Sequence, residues 1–452
     1  MNLPEQIFRE YDIRGVADRD LTSDVILNIG KAYGTFLRRK KKYMIAVGRD
    51  TRVSSPRIHE NLLNGILSTG LHVMDLGFTT TAALYFSIHY LATDGGIMIT
   101  GSHNPPDQNG LKMCIGTSSL HGPEIQELKN MIKKQDFLTG NGKLTNREII
   151  PDYQEYLFKA FKFQRKLKIV VDCGNGMTGL LAPQLFKSFG HEVIELFTEI
   201  DGTFPNHPAD PSEPENLHDC INAVLKNKAD IGLAFDGDGD RVGVIDNKGN
   251  IIPGDKLLIL FSRSILKDNP GATIIGDVKC SDILFRDINK HGGNGIMWKT
   301  GHSLIKSKMK EEGALLAGEM SGHMFFKHRW FGFDSGIYAA CRTLEILDQE
   351  KKTIPELLKD IPDTFATAEI RIECPDEVKF AVIKKATDIL KAKYKVIDID
   401  GARVEFEDGW GLVRASNTQP VLVTRFEATS EKRRDEIRQL IEKTIHDIRQ
   451  TI

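Results

Sequence analysis

A serine and a histidine stand side by side in the segment from Thr100 to Lys112, TGSHNPPDQNGLK. An apolar stretch, Gly96 to Ile99, precedes them, and the Asn, Pro and Gly residues of 104–110 favour a loop over a helix or a strand. Ser102 is therefore predicted at the end of a strand, where a substrate can approach its hydroxyl. Lys112 follows as a cation or a proton carrier. A surface turn has a similar composition, so this segment alone leaves both interpretations open.

Three carboxylates alternate with glycines in a second polar segment, Asp236-Gly-Asp238-Gly-Asp240-Arg241, which follows an apolar stretch. The glycines let the backbone curl, so that alternate carboxylates can converge. Three hard oxygen ligands with open positions suit Mg²⁺. The glutamate that closes an EF-hand loop is missing. The alternative is a solvated acidic turn, but carboxylates this close repel one another without a cation.

Further polar segments could bind a sugar phosphate. Residues 318–323, GEMSGH, offer a carboxylate, a hydroxyl and an imidazole to sugar hydroxyls, although a helix-capping turn would look the same. Residues 414–420, RASNTQP, combine a forked cation with hydroxyl and amide donors, which is the set that a phosphate requires. A polar hairpin turn is the alternative there. Two further residues have simpler interpretations when taken alone. Arg14 in YDIRG fits a surface salt bridge, and His302 in TGH fits a structural histidine.

The composition is that of a multidomain globular protein. The chain has 452 residues, of which 40% are hydrophobic and 27% charged, with a formal net charge of −2. We expect no nucleic-acid or membrane-surface binding from this charge. The chain shows no apolar run long enough for a membrane span and no signal-peptide core at its N-terminus. The 6 cysteines are scattered, which indicates reduced thiols and a cytoplasmic location.

Three regions repeat one pattern, in which an apolar strand runs into a Gly/Asp-rich turn and a helix follows. We predict three related α/β domains from this pattern, at residues 1–147, 148–250 and 251–363. A smaller α+β domain is predicted at 364–452, with a strand over 366–374 and a helix over 378–394. Short strands over 395–399, 403–406, 411–415 and 421–428 and a final amphipathic helix over 431–450 complete it. A helix is predicted over 179–189, and residues 133–147 look like a linker.

Together these segments resemble the α-D-phosphohexomutases, and most closely the bacterial phosphomannomutase/phosphoglucomutase group. The resemblance spans nearly the whole chain and depends on YDIRG, TGSHNP with NGLK, DGDGDR, TGH, GEMSGH and RASNTQP, which occur in that order. It implies three related α/β domains around a central cleft and a C-terminal domain similar to the TATA-binding-protein fold. The predicted pattern of elements agrees with that architecture.

The resemblance also assigns roles to residues. Ser102 matches the serine that is phosphorylated, and Asp236, Asp238 and Asp240 match Mg²⁺ ligands that are completed by a phosphoserine oxygen. The other positions matched to catalytic roles are His103, Lys112, Arg14, Arg241, His302 and His323. The positions matched to substrate binding are Tyr11, Lys279, Thr300, Gly301, Glu319, Ser321, Arg414, Ser416, Asn417 and Thr418.

The implied reaction interconverts hexose 1-phosphate and hexose 6-phosphate, of mannose, glucose or both. Phosphorylated Ser102 gives its phosphoryl group to the free hydroxyl, and a hexose 1,6-bisphosphate, which is also the activator, turns over in the cleft. A second phosphoryl group then returns to Ser102. Lys112 or a cleft histidine is the candidate base. The implied cofactor is Mg²⁺, and the implied partners are small sugar phosphates, with the oligomeric state (monomer or dimer) left open.

Alternatives remain at this point. Gln108 and Leu111 stand where aromatic residues are common in the family, and Gln419 occupies a variable place, so the sugar preference stays open. Phosphoglucosamine mutase is the nearest alternative, although that group usually begins its serine motif with Ala-Ser. A metal-dependent sugar phosphatase explains Ser102 and the aspartates but not a separate phosphate loop. A silent sugar-phosphate sensor would not require Ser102, Lys112 and all three aspartates.

Overall fold

Helices and strands alternate through most of the chain in the computed structural model, which describes residues 3–417 and 419–450. The first domain contains β1 (Ile13–Val16), α1 (Ser23–Arg39), β2 (Met44–Arg49), α2 (Ser55–Leu67), β3 (His72–Phe78), α3 (Thr81–Tyr90), β4 (Gly95–Ile99), β5 (Gln108–Ile115), β6 (Ser118–Ser119), α4 (Pro123–Lys134) and β7 (Leu144–Asn146). Its strand order is β1-β5-β4-β2-β3-β7, with β6 beside β5. The central strand β4 is apolar and wholly buried, as expected of a parallel strand that is covered on both faces.

A second sheet follows with the strand order β12-β11-β10-β8-β9. Its elements are α5 (Ile150–Ala160), β8 (Lys168–Asp172), α6 (Ala182–Ser188), β9 (Glu192–Leu196), α7 (His218–Asn227), β10 (Ile231–Phe235), β11 (Val242–Asp246) and β12 (Ile251–Ile252). β10 is again buried at every position. The predicted division between residues 250 and 251 falls just before β12, which pairs with β11 of this sheet.

The third sheet has the order β14-β13-β15-β16. Its elements are α8 (Gly254–Leu266), β13 (Thr273–Asp277), α9 (Asp282–Lys290), β14 (Asn294–Trp298), α10 (His302–Glu312), β15 (Leu316–Gly318), β16 (Met324–Phe326), α11 (Gly336–Glu350) and α12 (Ile354–Leu357). All three sheets share one plan, in which three parallel strands are followed by an antiparallel strand beside the last of them. The prediction of three related α/β domains is therefore confirmed.

The fourth domain is an antiparallel sheet covered by two long helices. Its elements are β17 (Phe365–Ala366), β18 (Ile370–Glu373), α13 (Asp376–Lys391), β19 (Lys395–Ile397), β20 (Ala402–Phe406), β21 (Gly409–Ala415), β22 (Val421–Ala428) and α14 (Glu431–Arg449). The order is β17-β22-β21-β20-β19, and β18 also pairs with β22. The apolar face predicted for the last helix is buried through Ile437, Ile441, Ile445 and Ile448.

Four local predictions are wrong. Asn109 and Gly110 lie inside β5, not in a loop, because β5 pairs with both β1 and β4 and this pairing overrides their preference for turns. The predicted linker contains β7, which pairs with the open edge of β3. The single predicted strand over 366–374 is interrupted between β17 and β18. The helix predicted over 179–189 is a 3₁₀ turn, Met177–Leu180, followed by α6.

The parallel strands all point their carboxyl ends toward one cleft. β4 leads into Ser102, β10 into Asp236, β13 into Lys279 and β15 into Glu319. In open α/β sheets, polar loops at the carboxyl ends of the strands are where ligands bind. The repeated plan therefore presents a polar loop from each of the first and second domains, and two from the third, to a common space.

Candidate active site

Ser102 lies immediately beyond β4, and its backbone is in the left-handed region with φ of +50°. Its amide donates to Thr100 Oγ1 at 2.8 Å. Its hydroxyl donates to Asp236 Oδ2 at 2.7 Å and lies 3.2 Å from His103 Nδ1. Because Ser102 is buried and bonded to a buried aspartate, this geometry favours an active serine over an ordinary surface turn.

The three aspartates converge as the Gly/Asp alternation predicts. Each offers one oxygen such that all three oxygens lie within 4.8 Å of one another, and all three side chains are buried. Burial, together with the charges of Asp240 and Asp238, raises the pKa of Asp236 well above its ordinary value. Three buried carboxylates this close need a cation among them to remain charged together.

The donor set fits Mg²⁺. Among the described residues, Asp238 Oδ1 is buried without a hydrogen-bond partner, while its Oδ2 accepts from Thr81 Oγ1 and from Lys112 Nζ, the latter at 2.7 Å. An orphaned carboxylate oxygen beside two other carboxylates is a ligand position for a hard cation. Asp236, Asp238, Asp240 and an oxygen on Ser102 are therefore the residues that could hold the metal.

Lys112 extends from β5 into the acidic cluster. Its ammonium donates to Asp238 Oδ2 and to Asp240 Oδ2. Burial opposes the charge on Lys112, but the surrounding aspartates outweigh burial and raise its pKa. Lys112 therefore carries a positive charge beside Ser102, where it can stabilise a negatively charged group.

A buried chain of ionisable groups links the second and third domains. His323 lies between Glu319 and Asp240, with Nδ1 2.5 Å from Glu319 Oε2 and Nε2 3.1 Å from Asp240 Oδ1. Burial alone would lower the pKa of His323, but the Asp240 charge and these contacts raise it to about 9. Burial opposes the charge on Glu319, but His323 and Lys279 bring its pKa down to about 2. Glu319 also accepts from the Gly301 amide at 2.6 Å, and Ser321 Oγ donates to it at 3.5 Å.

Two other histidines are neutral at neutral pH. Burial and the nearby Arg241 charge lower the pKa of His103 well below its ordinary value. Burial and Lys306 have the same effect on His302, which begins α10. Neutral imidazoles can accept protons, so both histidines qualify as bases.

Arginines and a tyrosine form further walls of the site. Arg14 donates to Asp12 Oδ2 at 2.7 Å and to Asn104 Oδ1 at 2.9 Å. The salt bridge considered from the sequence therefore exists, and Arg14 also lines the cleft. The Arg241 amide donates to Asp236 Oδ1 at 3.0 Å. Tyr11 Oη donates to the Thr300 carbonyl at 2.8 Å and accepts from Asn417 Nδ2.

The fourth domain contributes the predicted phosphate loop at the end of β21. Arg414 Nε donates to Asp400 Oδ2 at 2.9 Å, and Ser416 Oγ accepts from the Gln419 amide at 3.1 Å. Lys279 approaches from the third domain and pairs with Glu369 Oε2 at 3.2 Å. Thr418, which was also predicted in this loop, lies outside the described residues.

The predicted residues that the structure describes meet at one cleft of about 530 Å³. Those lining it are Tyr11, Arg14, Ser102, His103, Lys112, Arg241, Lys279, Thr300, Gly301, His302, Glu319, Ser321, His323, Arg414, Ser416 and Asn417. Asp236, Asp238 and Asp240 lie beneath it, bonded to Ser102, Lys112 and His323. The structure therefore brings the six polar segments that carry the resemblance, together with Lys279, to one place.

Sequence reasoning missed several residues that support this site. Thr81 begins α3 and bonds Asp238, and Glu369 pairs with Lys279. Asp50 and Arg52 follow β2 and contact the serine loop. The position of Asp50 and Arg52 in the sequence could have identified them. Residues 48–52, GRDTR, lie at the carboxyl end of a parallel strand, as the serine loop does.

Four family profiles match the chain in order. They are the phosphoglucomutase/phosphomannomutase alpha/beta/alpha domain I at residues 5–139, domain II at 151–249, domain III at 253–365 and the C-terminal domain at 369–444. Within the described residues, no helix is long and apolar enough to cross a membrane.

Full-length relatives give the same result. A phosphomannomutase/phosphoglucomutase of Pseudomonas syringae pv. tomato is 50% identical over 430 residues, covering 95% of this chain and 92% of the relative. A phosphoglucomutase of Neisseria meningitidis serogroup A is 46% identical, with 95% and 94% covered. The crystal structure of a phosphoglucomutase/phosphomannomutase family protein from Burkholderia thailandensis superposes with a TM-score of 0.92 at 43% identity, covering 99% of this chain and 98% of that one.

Proposed function

The chain belongs to the phosphoglucomutase/phosphomannomutase family, and we propose that it interconverts hexose 1-phosphate and hexose 6-phosphate through a phosphorylated Ser102. The activity is that of an isomerase acting on mannose phosphates, glucose phosphates or both. One observation supports the serine route most strongly. The Ser102 hydroxyl is bonded to an aspartate of the acidic cluster and faces the cleft that contains every other described polar loop.

In the forward transfer, the bond between Ser102 Oγ and phosphorus breaks as a sugar hydroxyl oxygen bonds to phosphorus. The sugar hydroxyl loses its proton to a base, and the serine oxygen leaves as an alkoxide or a hydroxyl. The product is a hexose 1,6-bisphosphate. When the bisphosphate has turned over in the cleft, the reverse transfer returns the other phosphoryl group to Ser102, so that atoms and charge balance over the cycle.

The cation that this site fits, Mg²⁺, would neutralise charge on the transferring phosphoryl group when bound to Asp236, Asp238, Asp240 and Ser102. Lys112 supplies a fixed positive charge beside the same group. Arg14 and Arg241 line the cleft next to Ser102 and add further donors for phosphate oxygens. Phosphoryl transfer needs this kind of electrostatic stabilisation more than covalent chemistry from the protein.

The protons of the reaction go to neutral histidines in this proposal. His103 lies 3.2 Å from Ser102 Oγ and accepts the serine proton when Ser102 attacks a phosphate. His302 lies across the cleft and accepts the proton of the sugar hydroxyl. Each histidine returns its proton in the opposite transfer, His103 to the departing Ser102 oxygen and His302 to the departing sugar oxygen, while Lys112 stays an ammonium throughout.

The distal end of the substrate is held by other domains. Arg414, Ser416 and Asn417 supply donors for the phosphate that is not being transferred. Glu319 accepts hydrogen bonds from the sugar hydroxyls, and Ser321 donates hydrogen bonds to them. Because the loop of Arg414, Ser416 and Asn417 recognises a phosphate and not a ring position, it can hold the phosphate at either end of the sugar. One site can therefore serve both transfers.

The assay that tests this function measures interconversion of the 1- and 6-phosphates of mannose, glucose and N-acetylglucosamine, with and without Mg²⁺. We expect Mg²⁺-dependent turnover of the mannose and glucose phosphates. Ser102→Ala should reduce turnover to background, and Ser118→Ala, at an exposed serine of the same domain, should leave it unchanged. Preference for the glucosamine derivatives would indicate a phosphoglucosamine mutase. Release of inorganic phosphate without isomerisation would indicate a phosphatase.

A further inference from the structure

The loop that carries Ser102 is held by a buried arginine that does not line the cleft. Arg52 is only 1% exposed. Its guanidinium donates to four backbone carbonyls of the loop, at 2.8 Å to Ser102, 2.6 Å to Asn104, 2.5 Å to Pro105 and 2.9 Å to Gln108. The loop therefore wraps around one cation, which fixes the path of its backbone from the serine to the start of β5.

Asp50 holds the other side of the same loop. Its Oδ2 accepts from the Gly101 amide at 3.1 Å and pairs with Arg52 Nε at 3.3 Å. Its Oδ1 accepts from Ser55 Oγ at 2.5 Å and from the Arg52 amide at 3.1 Å. Asp50 and Arg52 together bind the residue before Ser102 and the carbonyl of Ser102 itself.

Close packing restricts the conformation of the loop around Ser102. A Cβ added to Gly101 would lie 2.4 Å from the Arg52 guanidinium carbon, so a side chain there would push the guanidinium aside. The Phe204 ring of the second domain covers the guanidinium at 5.2 Å. A Cβ added to Gly237, between the first two metal-cluster aspartates, would lie 2.6 Å from the Ser102 carbonyl oxygen. The serine is thus held between Arg52 and the acidic loop.

We propose that Arg52, fixed by Asp50, is a positioning residue for phosphoryl transfer. It keeps the Ser102 backbone at positive φ, which directs Oγ at Asp236. The inference rests on the proposed serine chemistry, but Arg52 touches neither the substrate nor the acidic cluster. Its loss should therefore slow the chemical step and spare substrate binding, because the distal phosphate is held by another domain.

The test is the steady-state and single-turnover kinetics of Arg52→Met. A misplacement of about 1 Å in a reacting group can cost about 100-fold in rate. We expect kcat, and the rate at which Ser102 takes a phosphoryl group from glucose 1,6-bisphosphate, to fall by about that factor, with KM changed less than about threefold. Added guanidinium should restore part of the lost rate, and Arg52→Lys should not, since it lacks the fork that reaches several carbonyls.

Arg57→Met is the matched control. Arg57 also donates to two backbone carbonyls of this domain, those of Leu21 and Ala17, but none of its described hydrogen bonds reaches the serine loop. Its loss should leave kcat within about twofold of the parent value and give no guanidinium response. Equal kcat losses in Arg52→Met and Arg57→Met, or a loss confined to KM, would overturn the inference.

A second variant covers the case in which Arg52→Met fails to fold. Gly101→Ala keeps Arg52 but forces its guanidinium away from the loop, so it should reproduce the loss of kcat in a protein whose folded state is verified by circular dichroism. Unchanged kcat in Gly101→Ala would overturn the inference. Failure of the proposed function is a separate result, because the parent enzyme itself would then take up no phosphoryl group on Ser102.

Discussion

Among single residues, Asp238 bears most directly on the proposed binding of a cation by the acidic cluster. Thr81 and Lys112 both donate to one of its oxygens, and its other oxygen has no partner in the part of the chain that the structure describes. Partners of this kind orient a metal ligand and raise the affinity of the site. Thr81 comes from the first domain and Asp238 from the second, so their contact also couples the two domains.

Thr81→Val tests this coupling. The substitution keeps the shape of the side chain but removes the donor to Asp238. Loss of such an outer partner typically costs about 10–100-fold in metal affinity, so the Mg²⁺ concentration for half-maximal activity should rise by at least about tenfold. Thr79→Val is the control, because the Thr79 hydroxyl is buried without a described hydrogen-bond partner. A similar Mg²⁺ requirement in both variants would refute the role given to Thr81.

The residues found from sequence were those whose neighbours in the chain share their chemistry. Asp236 to Arg241 form a recognisable segment, and RASNTQP is recognisable as a phosphate-binding set. Thr81, Arg52 and Glu369 have ordinary neighbours and acquire their roles only when distant segments meet. Thr81 and Asp238 are 157 positions apart. No local pattern can report a contact of that kind.

At the scale of elements, helices α1 and α2 approach unusually closely. A Cβ added to Gly65 would lie 2.2 Å from the Leu27 carbonyl oxygen, and one added to Gly30 would lie 2.5 Å from that of Leu62. The two glycines therefore face each other at the crossing and let the backbones touch. This contact fixes α2, whose first turn contains Ser55 and so supports Asp50 behind the serine loop.

Gly65→Ala should destabilise the protein although alanine is the better helix former. The propensity gain is about 1 kcal/mol, whereas forcing a methyl group against backbone costs about 1–3 kcal/mol or more. We expect a lower melting temperature by calorimetry. Asn64→Ala, at the exposed neighbouring position of the same helix, should leave the melting temperature unchanged or raise it. A rise in both variants would show that the helices are not in contact at Gly65.

Elements with strong periodicity were predicted well, and those defined by pairing were not. β22 was predicted at its observed bounds and α14 to within one residue of its end, because each has a clear period. The start of β5 was predicted as part of a loop, and β7 as part of a linker, because Asn109, Gly110 and the short Leu144–Asn146 segment have no strand signature of their own. Their conformation comes from neighbouring strands, which lie elsewhere in the sequence.

At the scale of the whole molecule, one hydrophobic cluster spans the three α/β domains, in addition to the separate clusters inside each of them. A single buried cluster contains Phe86 of α3, Tyr153 of α5, Leu233 of β10 and Tyr338 of α11. The fourth domain has its own core and is attached through Arg403, which stacks on Trp410 at 3.8 Å and donates to the Val278 and Cys280 carbonyls, each at 2.7 Å. The repeat pattern predicted separate units, but the shared core appears only once the domains are packed.

The pH dependence of stability reports on two histidines outside the cleft, His191, which is buried, and His328, which is partly buried. Burial lowers the pKa of His191 to about 4, and burial with the nearby Arg342 charge lowers that of His328 to about 4. In the unfolded chain the pKa of histidine is about 6.5. Between about pH 4 and about pH 6.5 the unfolded chain therefore binds more protons than the folded chain. The stability that these two neutral histidines contribute is complete above about pH 6.5 and is lost as the pH falls toward about 4.

Differential scanning calorimetry at pH 7, 6 and 5 measures this loss. We expect the melting temperature to fall across the series, with His191→Gln showing a shallower fall because one titrating group is removed. His218→Gln, at an exposed position, should keep the parent slope. A parent melting temperature that stays level from pH 7 to pH 5 would contradict the assignment of neutral buried histidines.

The central claim is that Ser102 carries the phosphoryl group, and a chase experiment tests it most directly. The enzyme is labelled with glucose 1,6-bisphosphate bearing ³²P in both phosphates, freed of excess label, and mixed with unlabelled glucose 1-phosphate. We predict that label maps to the peptide containing Ser102, that it passes to glucose 1,6-bisphosphate and glucose 6-phosphate during a single turnover, and that Ser102→Ala takes up none. Label on another residue, or label on Ser102 that stays there while the sugar phosphate isomerises, would contradict the account.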